Sequence, residues 1–379
     1  MSCVDFRQRN MPQCPSRRDF LGLSAAALAG LPSIARAALT PDLPSLKQLA
    51  RAKGLAYGSE SDIALAQAPP QYTSLFMSQC ELMASLTPWS RVSSPAAEAS
   101  VWEDPNISFA LKTGLKLTGG HLLWYESLPR WFLAIDDRQK ARDAAFAHIR
   151  ATTARYAGQV FSWNVVNEAL SPRDGRPDGL RLSALLDHLG ADFFDGAFRA
   201  ARGADPEALL VYNDYNMEMD LADHQAKRRA LLRLLEKFKR DATPIDAVGL
   251  QSHLKLDGSR FDAKLYRAFL KDIASMGYKI LITELDVLDV GAPSAIAARD
   301  QAVADMYTRF LDAALDEPMV RAVVTWGLSD RYTWLTPDSE PIFARNDGLP
   351  TRPLPFDDAL RPKPAFHALV NAFKNARAR

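Results

Sequence analysis

Two glutamates stand at the ends of apolar, strand-like runs, and they are the residues of this chain best suited to chemistry. Glu168 ends the segment 162–168 and follows an amide, Asn167, while Glu284 follows the apolar residues 280–282. Placing a carboxylate at the end of a buried strand is costly unless it has a partner or a function. Two facing carboxylates can cleave a glycosidic bond, since one protonates the leaving oxygen while the other attacks the anomeric carbon. Either glutamate alone could instead be a helix N-cap or a salt-bridge partner at the rim of the fold.

The elements that position these glutamates alternate between strand-like and helix-like patterns. Short apolar runs, several of them apolar on both faces as buried parallel strands are, predict eight strands: 55–59, 75–80, 115–119, 160–166, 209–213, 247–251, 280–283 and 322–326. The apolar stripes between them predict helices over 183–202, 226–240, 262–276, 295–315 and 363–377, with Asp262 and Ser294 as N-caps.

This alternation predicts a fold of the α/β class, a single (β/α)8 TIM barrel over residues 38–379. An open doubly wound sheet is the alternative, and the first strand is not followed by the glycine-rich phosphate loop typical of that fold. The carboxyl ends of barrel strands meet at one mouth, so Glu168 and Glu284, after the fourth and seventh strands, should converge there. The long loops 171–180 and 335–362 should lie on the same face.

Residues 1–37 have the pattern of a cleaved bacterial export signal. Arg17 and Arg18 precede an uncharged run rich in Ala, Leu and Gly, and a small-x-small cleavage pattern follows at 35–37. The paired arginines resemble a twin-arginine (Tat) signal, which implies the Tat export machinery as a partner and a periplasmic or secreted location. A membrane anchor is the alternative, but a glycine and a proline interrupt the run, which is shorter than the roughly 20 apolar residues of a spanning helix.

Charge and composition narrow the class of protein. The 379-residue chain has 46 Lys and Arg against 45 Asp and Glu, a formal charge of +1, and removal of residues 1–37 leaves 41 basic and 43 acidic residues. A near-neutral chain without a basic block argues against a nucleic-acid partner. Of three cysteines only Cys80 lies outside 1–37, so the mature chain can form no intrachain disulfide. The six scattered histidines predict no metal site, and we expect no cofactor, no stable membrane anchor and a monomer.

Several segments, in sequence order, resemble those of glycoside hydrolase family 10, the β-1,4-xylanases. Segment 163–168 is similar to that family's acid/base motif, and segment 282–286 is similar to its nucleophile motif. The other matching segments are 212–216, 249–253, 326–334, 341–343 and 363–366. The resemblance extends from about residue 50 to residue 375 and implies a TIM barrel that hydrolyses a β-glycan with retention of configuration.

The resemblance implies a role for each of the polar residues in these segments. Glu284 would be the nucleophile, and Glu168 would be first the acid and then the base that activates water. Because Glu168 must hold a proton near neutral pH, its pKa should be raised. Asn167 would bind the sugar 2-hydroxyl, and His253 would orient Glu284, although a buried core histidine is the alternative for His253. The resemblance also implies that Gln251 belongs to the site and that Asp286 is a partner of His253. Three tryptophans would offer flat apolar faces to the sugar rings, although each could instead be a core residue: Trp124, Trp326 and Trp334.

The second-strand segment departs from the family pattern. Glu81 matches a sugar-binding glutamate, whereas Leu82 and Ser85 stand where the family has Asn and Lys. A site that loses amide and ammonium donors can change its preferred sugar, because hydrogen bonds to hydroxyls discriminate strongly between substrates.

The third-strand segment departs as well. Gly120 occupies the position of a family histidine, and the neighbouring His121 could make that histidine's contact with the substrate instead. Tyr125 and Ser127 stand for a second histidine and a glutamine. These departures concern the sugar that is bound rather than the two glutamates that would act on it.

We therefore expect a retaining endo-β-1,4-xylanase. The first alternative keeps the fold and mechanism but cleaves another β-glycan, such as a bacterial exopolysaccharide. The second alternative is a sugar-binding protein without catalysis, against which the presence of both glutamates, Asn167 and His253 argues.

Overall fold

Strands and helices alternate along the part of the chain that the computed structural model describes, residues 43–61, 63–94, 96 and 105–379. The strands are β1 Ala56–Glu60, β2 Leu82–Leu86, β3 Lys116–Gly120, β4 Leu123–Trp124, β5 Val160–Asn167, β6 Leu209–Asp214, β7 Ala247–Leu250, β8 His253–Lys255, β9 Lys279–Leu288 and β10 Val320–Thr325. The helices are α1 Leu46–Arg51, α2 Pro70–Gln79, α3 Pro105–Thr113, α4 Arg130–Leu133, α5 Arg138–Arg155, α6 Ala184–Leu189, α7 Phe193–Ala204, α8 Ala222–Arg240, α9 Ala263–Ser275, α10 Ile296–Ala314 and α11 Pro364–Asn375.

The strands of the described residues close into a barrel. Two of them, β4 and β8, are short extensions that pair beside the carboxyl-terminal parts of β5 and β9. The other eight form a ring of parallel neighbours, which closes because β10 pairs with both β9 and β1. The predicted (β/α)8 barrel is therefore confirmed.

The interior of the barrel is filled by small and medium-sized apolar side chains. One buried cluster inside it consists of Leu82, Ala84, Val211, Ala247, Leu281, Ala322 and Val324. Parallel strands covered by helices are buried on both faces, which explains why these runs are continuously apolar. Gly58 allows β1 to approach β2 closely, since a Cβ there would lie 2.2 Å from the carbonyl oxygen of Leu82.

The predicted second strand, 75–80, is wrong. Most of that run belongs to helix Pro70–Gln79, and the strand begins only at Leu82. A proline in the first helical turn favours a helix start, because its missing N–H would have no partner there anyway. Tyr72 and Phe76, four residues apart, are both buried on one face of this helix. The apolar run had a helical rather than an alternating period, so the strand lies further along the chain.

The predicted helix boundaries agree with the structure in part. Region 183–202 contains two helices, α6 and α7, and Gly190 ends the first with a φ of 74°. Asp262 caps α9, as predicted, by accepting two backbone N–H groups of the first turn. The predicted cap Ser294 is wrong, because Ala295 holds the cap position of α10 and the Ser294 hydroxyl donates to a loop carboxylate.

Buried charges fasten the segment after β10 to α10. The Nζ of Lys363 lies 2.8 Å from Asp330 Oδ2 and donates to the carbonyl oxygen of Arg352 at 2.7 Å. The guanidinium of Arg352 donates twice to Asp300 of α10, with both distances 2.8 Å. Lys363 and Asp330 are both buried, so this network anchors the long loop over the carboxyl-terminal face of the barrel.

Residues Pro44–Arg379 form one compact unit. Within the described ranges, no helix combines the length and the apolar character needed to cross a bilayer. The predicted export signal, residues 1–37, lies outside the described residues.

Candidate active site

Glu168 lies directly after β5, at the mouth of the barrel. Its backbone N–H donates to the carbonyl oxygen of Asn213 on β6 at 2.9 Å. Its carboxyl group accepts hydrogen bonds from Trp124 Nε1 and from Gln251 Nε2, each at 2.9 Å. Burial raises the pKa of Glu168, the Gln251 hydrogen bond opposes this increase, and the charge of Asp214 adds to it. A buried carboxyl with a raised pKa can keep its proton and act as a general acid.

Glu284 lies within β9 and faces the same mouth. Asn213 Nδ2 donates to its Oε1 at 2.8 Å, and His253 Nε2 lies 3.2 Å from its Oε2. The Nε2 of His121 lies 3.8 Å from Oε1, at ion-pair distance. Burial alone would raise the pKa of Glu284, but His121 and His253 outweigh burial and lower this pKa to about 2. Glu284 is therefore ionised at neutral pH, as a carboxylate nucleophile must be.

His253 connects Glu284 to a second carboxylate, Asp286. The Nδ1 of His253 lies 3.0 Å from Asp286 Oδ1, and Trp334 Nε1 donates to Asp286 Oδ2 at 2.8 Å. Burial lowers the pKa of His253, but Asp286 and Glu284 outweigh burial and raise this pKa to about 10. A charged imidazole donates from both nitrogens, so the two carboxylates fix the ring and the ring stabilises the ionised Glu284.

Asparagine side chains form a network between the two glutamates. The Oδ1 of Asn167 accepts from Asn213 Nδ2 at 2.9 Å and from Asn164 Nδ2 at 3.1 Å. Thr283 Oγ1 donates to Asn213 Oδ1 at 2.7 Å. The Nδ2 of Asn167 is buried and has no hydrogen-bond partner among the described residues. A buried donor of this kind is suited to a hydroxyl of a bound ligand.

The predicted tryptophans stand around the carboxylates. The rings of Trp124 and His121 are nearly perpendicular, with centroids 5.2 Å apart. Trp326 and Trp334 contact His253, with centroid distances of 6.3 Å and 5.1 Å. All three tryptophans are partly exposed, so part of each flat apolar surface is available to a pyranose ring.

An open cleft lies beside Glu284. His121 and Trp326 form part of its wall. The ends of β2 and β3 contribute an apolar and a small residue, Leu86 and Gly120. None of the described residues that line the cleft is Lys or Arg. The polar side chains of this lining are therefore hydroxyl, amide, imidazole and carboxylate groups.

Glu81 lies at the opposite end of the barrel, and its predicted contact with substrate is wrong. It precedes β2, and its carboxylate pairs with Arg51 at 3.3 Å and with Lys116, the first residue of β3, at 3.0 Å. Strand β2 reaches the mouth at Leu86, which is the neighbour of Gly120 on β3. The strand begins later than predicted. The segment that was compared with the family's sugar-binding residues therefore starts at the amino-terminal end of β2, whereas the mouth of the barrel lies at its carboxyl-terminal end.

Possible metal ligands are not grouped in this part of the molecule. Among the described residues, no three or more His, Cys, Asp or Glu side chains are arranged to hold a metal ion. The two glutamates are instead contacted by indole, amide and imidazole groups.

A comparison with known families agrees with this arrangement of two carboxylates at the mouth of a barrel. The model of glycosyl hydrolase family 10 matches residues 45–372. The chain belongs to glycosyl hydrolase family 10. The match covers all the barrel strands, including both segments that carry the glutamates.

Relatives of this family 10 chain include proteins named as xylanases. Endo-1,4-beta-xylanase B of Thermotoga neapolitana is 30% identical over 268 residues, which are 70% of this chain and 72% of that protein. Endo-1,4-beta-xylanase C of Paenibacillus barcinonensis is 32% identical over 306 residues, which are 73% of this chain but only 27% of that protein. A solved structure of a GH10 protein from Paenibacillus barcinonensis is similar with a TM-score of 0.74 and 28% identity, covering 87% of this chain and 97% of that chain.

Three residues of the family 10 site were not singled out from the sequence. Asn213 bridges Glu284 and Asn167, Asn164 supports Asn167, and Arg181 donates to the main chain of Glu168. The signal for Asn213 was present, because it is an amide near the end of an apolar strand, as Asn167 is. Arg181 follows an irregular loop whose sequence shows no period, so no pattern placed it near the site.

Proposed function

We propose that this chain is a retaining glycoside hydrolase that cleaves internal β-1,4 linkages of xylan. The observation that carries the proposal is a pair of buried carboxyl groups with opposite pKa shifts, raised at Glu168 and lowered at Glu284. The two-carboxylate mechanism needs one group that keeps its proton and one that does not. The printed names of the relatives support xylan as the polymer.

In the first step, Glu284 attacks the anomeric carbon while Glu168 transfers its proton to the glycosidic oxygen. The bond between that carbon and oxygen breaks, the aglycone leaves as an alcohol, and a glycosyl ester forms on Glu284. The free Nδ2 of Asn167 is suited to bind the 2-hydroxyl of the reacting sugar. His253 keeps Glu284 ionised before the attack.

In the second step, Glu168 is a carboxylate and takes a proton from an attacking water molecule. The oxygen of that water bonds to the anomeric carbon, and the ester bond to Glu284 breaks. Two inversions give a product with the original configuration, and Glu168 has regained its proton. Trp124 and Gln251 donate to the carboxylate form of Glu168 and so stabilise it between the two steps.

A second candidate function keeps this mechanism but acts on another β-glycan, such as a bacterial exopolysaccharide. Leu86 and Gly120 at the ends of β2 and β3 support it, as does the lining of the cleft, where none of the described residues is Lys or Arg. A site that makes fewer hydrogen bonds to sugar hydroxyls distinguishes less strongly between its original sugar and other sugars.

The release of reducing ends from purified polysaccharides tests these candidates. Xylan, cellulose, a mixed-linkage β-glucan and a bacterial exopolysaccharide are each incubated with the wild-type chain and with Glu284→Gln as the inactive control. Hydrolysis of xylan alone supports the xylanase. Inert xylan beside an active second polymer favours the other β-glycan. Binding of a polysaccharide without any release of reducing ends would contradict both and leave a sugar-binding protein.

We also propose that residues 1–37 direct the folded chain through the Tat machinery to the periplasm or beyond. The support is the pair Arg17 and Arg18 before an uncharged run. Fractionation of bacteria that express the full chain should find the processed protein outside the cytoplasm, and Arg17→Lys with Arg18→Lys should retain it inside. Normal export of the double variant would contradict this route.

A further inference from the structure

Arg181 contacts the main chain of Glu168 rather than its carboxyl group. The loop after β5 returns on itself, because Leu170 and Leu180 form an antiparallel bridge. The backbone N–H of Arg181 donates to the carbonyl oxygen of Ala169 at 2.8 Å. Its side chain then crosses back, and Nε donates to the carbonyl oxygen of Glu168 at 2.7 Å.

The main chain at Glu168 needs such support. Its φ is 57°, in the left-handed region that residues with a Cβ rarely adopt. A strained conformation of this kind persists only when the surrounding contacts determine it. Here the N–H of Glu168 donates to the carbonyl oxygen of Asn213, and its own carbonyl oxygen accepts from Arg181. Two residues further on, the N–H of Leu170 donates to Asp214 Oδ2 at 3.2 Å.

The guanidinium group of Arg181 is itself held in place. Its Nη2 donates to the Tyr215 hydroxyl at 2.8 Å, and its central carbon lies 4.4 Å from the centroid of the Tyr125 ring. Tyr215 is held in turn, since the Nζ of Lys227 lies 3.7 Å from its ring centroid and 2.6 Å from Asp214. Cation–π contacts and a hydrogen bond therefore fix the direction from which Arg181 reaches Glu168.

We propose that Arg181 is a positioning residue that aims the Glu168 carboxyl group at the leaving oxygen by fixing the left-handed main chain of Glu168. The inference rests on the proposed function, because the aim of Glu168 matters only if it transfers protons. The described hydrogen bonds and ion pairs of the Glu284 carboxylate come from Asn213, His253 and His121, and none comes from Arg181. Loss of Arg181 should therefore impair proton transfer and leave the nucleophile intact.

Leaving groups of different acidity separate these two effects. A very acidic phenol leaves without a proton from the enzyme, whereas a weakly acidic phenol needs the general acid. The kcat/KM of an aryl β-glycoside reports the steps up to the first bond cleavage, so the later hydrolysis of the glycosyl ester does not affect it. A misplaced Glu168 should thus lower kcat/KM only for the weakly acidic phenols.

The experiment measures kcat/KM for dinitrophenyl and phenyl β-glycosides of the sugar that the wild type prefers. The variants are Arg181→Met, Arg181→Lys and a matched control in the same loop, Arg173→Met, whose exposed guanidinium pairs with Asp223. We expect Arg181→Met to lose about 10- to 100-fold on the phenyl glycoside, since a displacement of about 1 Å can cost 10²-fold, and less than about 3-fold on the dinitrophenyl one. Arg181→Lys should lie between it and wild type, because lysine keeps the charge but not the planar fork. The control should match wild type on both.

Equal losses on the two leaving groups in Arg181→Met, or losses no larger than those of Arg173→Met, would overturn the proposal. If Arg181→Met does not fold, as judged by circular dichroism and thermal unfolding, Arg181→Lys decides, and equal losses there also overturn it. Failure of the proposed function looks different, because the wild type would then hydrolyse none of the aryl glycosides or polysaccharides. That result would remove this inference as well.

Discussion

The Nε2 of His253 lies 3.2 Å from Glu284 Oε2, and each residue moves the pKa of the other away from neutrality. Burial opposes both shifts, since it disfavours a charge on either residue. His121 and His253 together nevertheless lower the pKa of Glu284 to about 2, and Asp286 and Glu284 raise the pKa of His253 to about 10. At neutral pH the carboxylate therefore has no proton and the imidazole carries its charge.

Replacement of His253 by Asn should move the acid limb of the kcat/KM pH profile to higher pH. Without the imidazole of His253, His121 remains but opposes burial less than both histidines do together, so the pKa of Glu284 rises and the nucleophile becomes protonated at a less acidic pH. The profile is measured on an aryl β-glycoside from acid to neutral pH. The control is His188→Asn, because His188 bonds to main-chain oxygens of α6 and of α4. An acid limb at the wild-type position would contradict this account of the pair.

Replacement of Glu168 by Ala should slow substrates with poor leaving groups by about 10²- to 10⁴-fold, the usual contribution of a general acid. It should also remove the basic limb of the pH profile, since Glu168 loses its proton as the pH rises through its raised pKa. Azide needs no general base, so it should restore turnover of substrates with good leaving groups and give a β-glycosyl azide. A uniform loss without rescue counts against the acid/base assignment.

Replacement of Glu284 by Ala should reduce turnover by more than about 10⁴-fold on every substrate, because no other group can form the glycosyl ester. Asn213 and His253 would lose a charged partner, so thermal unfolding is measured beside the rates. A folded variant that keeps substantial activity would show that the nucleophile is another residue.

Replacement of Lys363 by Met should lower the free energy of unfolding by about 3–5 kcal/mol, because it leaves the buried carboxylate of Asp330 without its closest cation. Burial already raises the pKa of Asp330 to about 6 although Lys363 opposes the increase. Urea unfolding followed by circular dichroism measures the loss, and kcat on the folded variant should stay near wild type. An unchanged midpoint would mean that the network does not anchor the loop.

Seven of the eight predicted strands could be placed from the sequence, because buried parallel strands are continuously apolar. The exception, 75–80, is an apolar run that forms the end of a helix begun by Pro70. Because of this one error, Glu81 was expected at the mouth of the barrel, whereas it lies at the opposite, amino-terminal end of the strands. Neither local periodicity nor composition could show that Arg51 and Lys116 are the partners of Glu81, since both contacts cross between different elements.

The site was predictable where its residues lie near the carboxyl ends of barrel strands and unpredictable where a loop supplies them. Glu168, Glu284 and Asn167 meet because the carboxyl ends of barrel strands converge. Arg181 reaches Glu168 only through the return of an irregular loop, and the left-handed main chain that it supports leaves no mark in the sequence.

The stereochemistry of the first product tests the central claim most directly. A proton NMR time course of the hydrolysis of a β-linked aryl glycoside or oligosaccharide follows the anomeric signals before mutarotation mixes them. Two displacements through an ester on Glu284 predict that the β-anomer appears first. The α-anomer appearing first would contradict the covalent intermediate and the assignment of Glu284 as the nucleophile.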